Sequence, residues 1–111
     1  MKLEPVFEDS SQFKYDDLYL YALGAPSGSK ILTTCTGIAH MLIKKNIAYG
    51  DSALDPVRIF SKSDPVEQLR VRIDDKLSRL MKGTEYVGDN DIDDLIGYLV
   101  LLKIAKEKNV N

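Results

Sequence analysis

The stretch Gly88-Asp89-Asn90-Asp91-Ile92-Asp93-Asp94-Leu95-Ile96-Gly97-Tyr98 sets four carboxylates at the head of an apolar segment. A helix rises only about 1.5 Å per residue, so side chains three or four apart share one face. Asp91, Asp94 and Tyr98 therefore form a stripe along one side of a helix that opens near Asn90 and runs to about Lys108. Its apolar positions Ile92, Leu95, Ile96, Leu99 and Leu102 predict the core face, with the acid stripe bordering it. Lys103, Lys106 and Lys108 sit near its C-terminus, where the macrodipole favours cations. Two readings of the acids stand side by side. Hard oxygen ligands on one face suit Mg²⁺, and acids in a first helical turn suit the helix dipole and its capping.

Working outward, Asp64-Pro65-Val66-Glu67 opens a preceding helix. Asp64 is placed to cap, Pro65 suits the first helical position, and Glu67 completes a capping box. Val66, Leu69, Ile73, Leu77 and Leu80 predict its buried face, and Gly83 its end. Upstream, Ile31, Leu32, Cys35, Ile38, Ala39, Leu42 and Ile43 recur at helical spacing, with Ser29 as the expected N-cap and a stop near Ala48. The connection that follows carries Gly50 and Pro56, with at most one helical turn around Val57–Phe60. Residues 1–28 read as an N-terminal arm rich in Tyr and Leu, and residues 29–111 as a helical domain. No segment alternates strictly enough for a strand. The fold class expected is all-α: a small bundle of three main helices plus the arm, self-associating because a narrow bundle leaves apolar edges.

Composition narrows the function. The 111 residues are 44% hydrophobic and 29% charged, with a net charge of −2. Such a chain forms one ordinary globular domain and offers no bulk attraction to nucleic acid or an anionic membrane. No apolar run reaches the ~20 residues of a membrane span, and Met1–Pro5 lacks a signal-peptide core. One cysteine excludes an intrachain disulfide and points to the reducing cytoplasm; with a single histidine, a Cys/His zinc site is out of reach. A metal here would be held by oxygen.

On a helical wheel centred on Ile73, Asp74 falls on one shoulder, while Arg72, Lys76 and Arg79 make the other basic, with Asp75 further round. If this helix lies antiparallel to the last one, its charges face Asp91 and Asp94 across a cleft. Mg²⁺ takes octahedral oxygen ligands and keeps several waters, and Lys or Arg at the rim would meet phosphate. The plainer alternatives are helix capping for the aspartates and surface ion pairing for Asp75 with Arg72 or Arg79, pairs that contribute only ~0–1 kcal/mol. His40 reads as a helix-surface residue and Cys35 as a small core hydrophobe. Tyr49-Gly50-Asp51 reads as a turn after a helix end.

Three blocks, Lys45-Asn46-Ile47-Ala48-Tyr49-Gly50-Asp51-Ser52, Val71-Arg72-Ile73-Asp74-Asp75-Lys76-Leu77-Ser78-Arg79-Leu80 and Asp94-Leu95-Ile96-Gly97-Tyr98, occur in that order. Together they resemble small, often phage-encoded proteins of the MazG-like, all-α nucleoside triphosphate pyrophosphohydrolase type. The resemblance runs from the region of residue 30 to that of residue 105. It implies an oligomeric helical protein that cleaves a (deoxy)nucleoside triphosphate to the monophosphate and pyrophosphate with Mg²⁺ or Mn²⁺, in the cytoplasm of a bacterial or phage-infected cell. Carried over by position, it implies metal at Asp75, Asp91 and Asp94, with Asp74 beside them. Asp75 and Asp94 would be the catalytic acids, with Asp91 and Asp94 standing for a Glu-x-x-Asp pair. Lys76, Arg79 and Arg72 would meet phosphate, and Tyr49, Asp51 and Tyr98 would lie near the nucleotide. The chain departs from the type in lacking a Glu-Glu-x-x-Glu motif: before Ile73 its glutamates are Glu4, Glu8 and Glu67. Asp51, Asp74 and Asp75 are the candidate replacements. A non-catalytic nucleotide-binding or phage accessory protein on the same helical fold is the alternative.

Overall fold

The computed structural model describes residues 14–83 and 90–108, apart from the side chains of Tyr15 and Asp16. Asp89 of the acid run and the first part of the arm lie outside the described residues. Among the described residues there are four helices: α1 (Tyr15–Ala22), α2 (Gly28–Ala48), α3 (Pro65–Lys82) and α4 (Asp91–Lys108). No strand occurs among the described residues, so the all-α class is shown. The chain divides into two compact units, Met1–Gly37 and Ile38–Asn111, so that α2 contributes residues to both.

In the N-terminal unit, α1 ends in a tight corner that leads into α2. Gly24 and Ala25 donate backbone hydrogen bonds to Tyr21 and Ala22, each at 3.1 Å. Gly28 passes so close to Ala22 that a Cβ there would stand 1.9 Å from the Ala22 carbonyl oxygen. Only glycine fits. Helix α2 thus begins at Gly28, and Ser29, expected to cap it, lies inside the helix; the Ser27 carbonyl accepts from the Ile31 N–H at 2.9 Å. Cys35, read as a core residue, is exposed, as are Ile31, Ala39 and Ile43. The half-buried residues of α2 form a narrower line through Leu32, Ile38, Met41, Leu42 and Asn46.

The C-terminal unit is built on α3 and α4. Asp64 caps α3 by accepting from the Glu67 N–H at 3.0 Å, Pro65 opens the helix, and Gly83 closes it with φ of 66°. Glu67 turns to Arg70 instead of completing a capping box. Asn90 caps α4, its Oδ1 accepting from the Asp93 N–H at 3.1 Å. Val66 and Leu69 near the start of α3 pack with Leu101 and Ala105 near the end of α4, whereas Lys76 late in α3 meets Asp91 at the start of α4. The pair is antiparallel. Leu42, Ala53, Leu54, Tyr98 and Leu102 pack around that core.

Two expected faces are corrected in part. On α4 the buried residues are Asp91, Gly97, Leu101 and Ala105, while Ile92, Ile96 and Leu99 are exposed. The acid stripe points inward; of the apolar stripe expected to be core, Ile92, Ile96 and Leu99 point out, while Leu95 is half-buried and Leu102 packs against the core. On α3 the buried line runs Val66, Leu69, Ile73, Lys76, with Leu77 and Leu80 on the exposed side of it. On both helices the buried line includes a charge, Lys76 on α3 and Asp91 on α4, and the two are paired with each other. The helical turn expected at Val57–Phe60 forms instead at Asp51–Leu54, where Leu54 and Asp55 donate to the Asp51 carbonyl at 3.1 and 2.8 Å. Val57, Ile59 and Phe60 are exposed.

Replacing the Asp64 cap leaves the first N–H groups of α3 without their side-chain acceptor. Asp64→Ala is expected to cost about 1 kcal/mol, seen as a lower midpoint in thermal unfolding followed by circular dichroism. An unchanged midpoint would show that the Asp64 cap contributes nothing to stability.

Candidate functional site

Helix α2 closes with a two-bond motif that sets one edge of the site. The Asp51 N–H reaches back to the Asn46 carbonyl at 3.1 Å and the Gly50 N–H to the Ile47 carbonyl at 3.4 Å, the paired pattern of a helix ended by a left-handed residue. Gly50 and Asp51 both have φ of 61°. That conformation suits glycine and is tolerated by a short polar residue such as aspartate. The Asp51 Oδ1 then accepts from Asn46 Nδ2 at 2.8 Å, which fixes the Asn46 amide at the helix end. Tyr49, Ser52 and Ala53 follow on the returning turn.

Beneath this edge lies the charged centre of the unit. Lys76 Nζ stands 2.9 Å from Asp94 Oδ2 and 3.3 Å from Asp91 Oδ1. Lys45 Nζ of α2 reaches Asp94 Oδ1 at 3.1 Å, and Arg79 Nη1 stands 3.7 Å from Asp91 Oδ1. Asp91 is only 1% exposed and Lys76 8%, so both are out of water. Burying a charge is tolerated only when it is paired and hydrogen-bonded, and here each group has its partners. The hydrogen bond from Lys76 to Asp94 raises the lysine pKa against the opposing effect of burial. Burial pushes the Asp94 carboxyl up, but hydrogen bonds from Lys76 and Lys45 outweigh it and hold the group below its ordinary value.

Above the charged centre the C-terminal unit holds a cleft of about 370 Å³. Met41, Leu42, Ala53 and Leu101 give it an apolar floor, and Lys45, Arg72, Tyr49, Tyr98 and Asp94 bring polar groups to it from α2, the turn, α3 and α4. Gly97 forms part of the wall, with Leu42 Cδ1 3.4 Å from where a Cβ would stand. Arg72 holds its guanidinium carbon 6.0 Å from the centre of the Tyr98 ring, within reach of the ring face.

Of the residues singled out in the sequence, Tyr49, Arg72, Asp94 and Tyr98 line this cleft, and Asp51 is tied to it through Asn46. Lys76, Arg79 and Asp91 form the ion cluster with Asp94. Asp74 and Asp75 are brought to neither: both are exposed on α3, and neither makes an ion pair among the described residues. Lys45 and Asn46 belong to the site and were passed over. Their signal was spacing, since Met41, Lys45 and Tyr49 recur every four residues at the end of α2.

The donor set decides how well a divalent cation suits these aspartates. Asp94 gives one oxygen to each of two ammonium groups, and Asp91 lies against Lys76 and Arg79. A divalent ion placed there would stand against these positive charges, and the arrangement as it stands does not fit one. Among the described residues no three acidic, histidine or cysteine side chains gather into a metal-holding group. Comparison with protein-family models, curated proteins and solved structures found no match to this chain.

Lys76 and Lys45 contact the same carboxylate from very different surroundings, Lys45 having a side chain 49% exposed. Lys76→Met removes the buried ammonium shared by Asp91 and Asp94 and is expected to cost about 3 kcal/mol, against less than about 1 kcal/mol for Lys45→Met. Urea unfolding of the two variants checks the order, and equal losses would contradict it. The pKa directions also set a pH window. Ionised Asp94 stabilises the fold at neutral pH, and that contribution is lost as pH falls below about 4 through its lowered value. Protonated Lys76 contributes until pH rises past about 10.5 through its raised value. Stability measured against pH should therefore fall at both ends, and a Lys76→Met profile that matched the parent's would refute the assignment.

Proposed function

We propose that the C-terminal unit is a nucleotide-binding module of the MazG-like type that holds its ligand in the cleft without hydrolysing it. The observation that carries this reading is the meeting of Lys45 and Arg72, from different helices, over an apolar floor edged by Tyr49 and Tyr98. Cations at the rim suit phosphate, and an apolar, aromatic-edged floor suits a flat base. The order of the three sequence blocks supports the same reading, since each of them contributes to the cleft. The cytoplasm, where nucleotides are abundant and a lone exposed Cys35 stays reduced, is the proposed setting.

Mg²⁺- or Mn²⁺-dependent pyrophosphohydrolysis is the second reading. It is favoured by Asp91 and Asp94 standing against the same Lys76 ammonium, with Asp94 lining the cleft. It requires those carboxylates to exchange their lysine partners for metal, and it leaves Asp74 and Asp75 without a part. Self-association belongs to the proposal as well, because Ile92, Ile96 and Leu99 make an exposed apolar stripe on α4.

The test is a panel of ribo- and deoxynucleotides with Mg²⁺ or Mn²⁺, read by thermal shift and by pyrophosphate release on the same samples. The expected result is a rise in melting temperature without pyrophosphate. Release that disappears in a folded Asp94→Ala variant would replace binding with hydrolysis, and no shift with any nucleotide would sink both readings. Sedimentation of the same samples reports the assembly; a monomer at every concentration would remove self-association.

A further inference from the structure

The cleft's charges are divided in a way that bears on which nucleotide it takes. Arg72 makes no ion pair among the described residues and lies over the Tyr98 ring. Lys45 has a carboxylate, but Asp94 offers it only one oxygen while the other is held at 2.9 Å by Lys76. When Lys45 turns away, Asp94 keeps a buried ammonium partner. Lys45 is also the exposed member, with a side chain 49% accessible against 11% for Lys76. The cleft thus presents two cations for a ligand, one uncommitted and one exchangeable. The remaining ammonium stays in the ion cluster.

From this division we infer that the ligand is a nucleoside monophosphate, bound through its phosphate dianion by Lys45 and Arg72 without a metal ion. The inference rests on the nucleotide reading above and narrows it. A phosphate monoester carries about −1.5 to −2 charges near neutral pH, which two cations match. A triphosphate carries more negative charge than two cations match. Metal is the usual remedy for that surplus, but Asp91 and Asp94 are engaged by Lys76, Lys45 and Arg79. Size points the same way, because a cleft of about 370 Å³ lies at the small end of ligand sites. On binding, Lys45 moves its ammonium from Asp94 to the phosphate. Arg72 keeps its place over the Tyr98 ring and turns its N–H groups to the same anion, the fork geometry that suits phosphate.

Isothermal titration of the whole chain in EDTA tests this, using a nucleoside monophosphate, its nucleoside, its triphosphate and phenyl phosphate, each repeated with Mg²⁺. The monophosphate is expected to bind at least about tenfold tighter than the nucleoside or the metal-free triphosphate, with no gain from Mg²⁺. Lys45→Gln and Arg72→Gln are each expected to weaken it about tenfold. Two variants from different helices guard against one that misfolds, and each is checked by its thermal unfolding. A triphosphate that binds tightest, and only with Mg²⁺, overturns the inference and leaves the nucleotide reading standing. Phenyl phosphate binding as well as the monophosphate supports the charge assignment and removes the base from the nucleotide reading. Binding of the nucleoside undiminished by loss of its phosphate overturns the inference, and no binding by any ligand overturns both.

Discussion

The C-terminal unit depends on one buried ammonium. Lys76 lies between Asp91 and Asp94 at 3.3 and 2.9 Å, and the three groups decide how α4 is rolled against α3. Helix α4 is apolar on more than one side, so hydrophobic burial alone leaves its orientation open. Electrostatics closes the choice. Turning Ile92, Ile96 and Leu99 inward would carry Asp91 and Asp94 away from Lys76 and leave a lysine buried without a counter-charge. A buried ion pair adds little net stability over a well-packed apolar one, but losing a single partner is costly. Its effect here is selection of register and roll: Val66 and Leu69 meet Leu101 and Ala105 at the other end of the pair.

The cleft follows from that roll. With Asp91 and Asp94 turned to α3, Gly97 comes against Leu42 of α2, where a larger residue would fill the space. Tyr98 comes beneath Arg72, and Leu101 becomes both core and cleft floor. The end of α2 completes the edge, because the bonds from Gly50 and Asp51 bring the chain back toward its own last turn. The charged centre therefore organises the site while its carboxylates are largely spoken for. The groups it leaves to a ligand are cations, aromatic edges and an apolar floor.

How much of this was legible in the sequence varies with range. Local chemistry read well: Asp64, Pro65 and Gly83 bound α3, Asn90 opens α4, and Gly50 ends α2, because a cap or a left-handed turn is decided by residues a few positions apart. Burial read less well. On α4 two faces had helical periodicity, and the more apolar one was the wrong one, since a pair 15 residues apart in the chain outweighed the apolar pattern. Cys35 and Ile43 lie on a periodic stripe of α2 that is exposed in this chain, and periodicity does not say what covers a stripe. At the site, Asp94, Tyr98, Arg72 and Tyr49 were found by their blocks. The separation of Asp74 and Asp75 from the cleft was hidden, because side-chain identity says nothing of the face a helix turns to its neighbour. Lys45 was missed for the same reason: its partner, Asp94, is 49 residues away.

The carboxylates Asp91 and Asp94 of α4 are committed to lysine and arginine. Carboxyl-carbon NMR of the whole chain during addition of Mn²⁺ tests it most directly, since paramagnetic broadening marks whichever side chains hold the ion. The Asp91 and Asp94 signals are expected to keep their intensity at Mn²⁺ levels that already broaden exposed acids. Selective loss of those two signals at the lowest Mn²⁺ additions would contradict it.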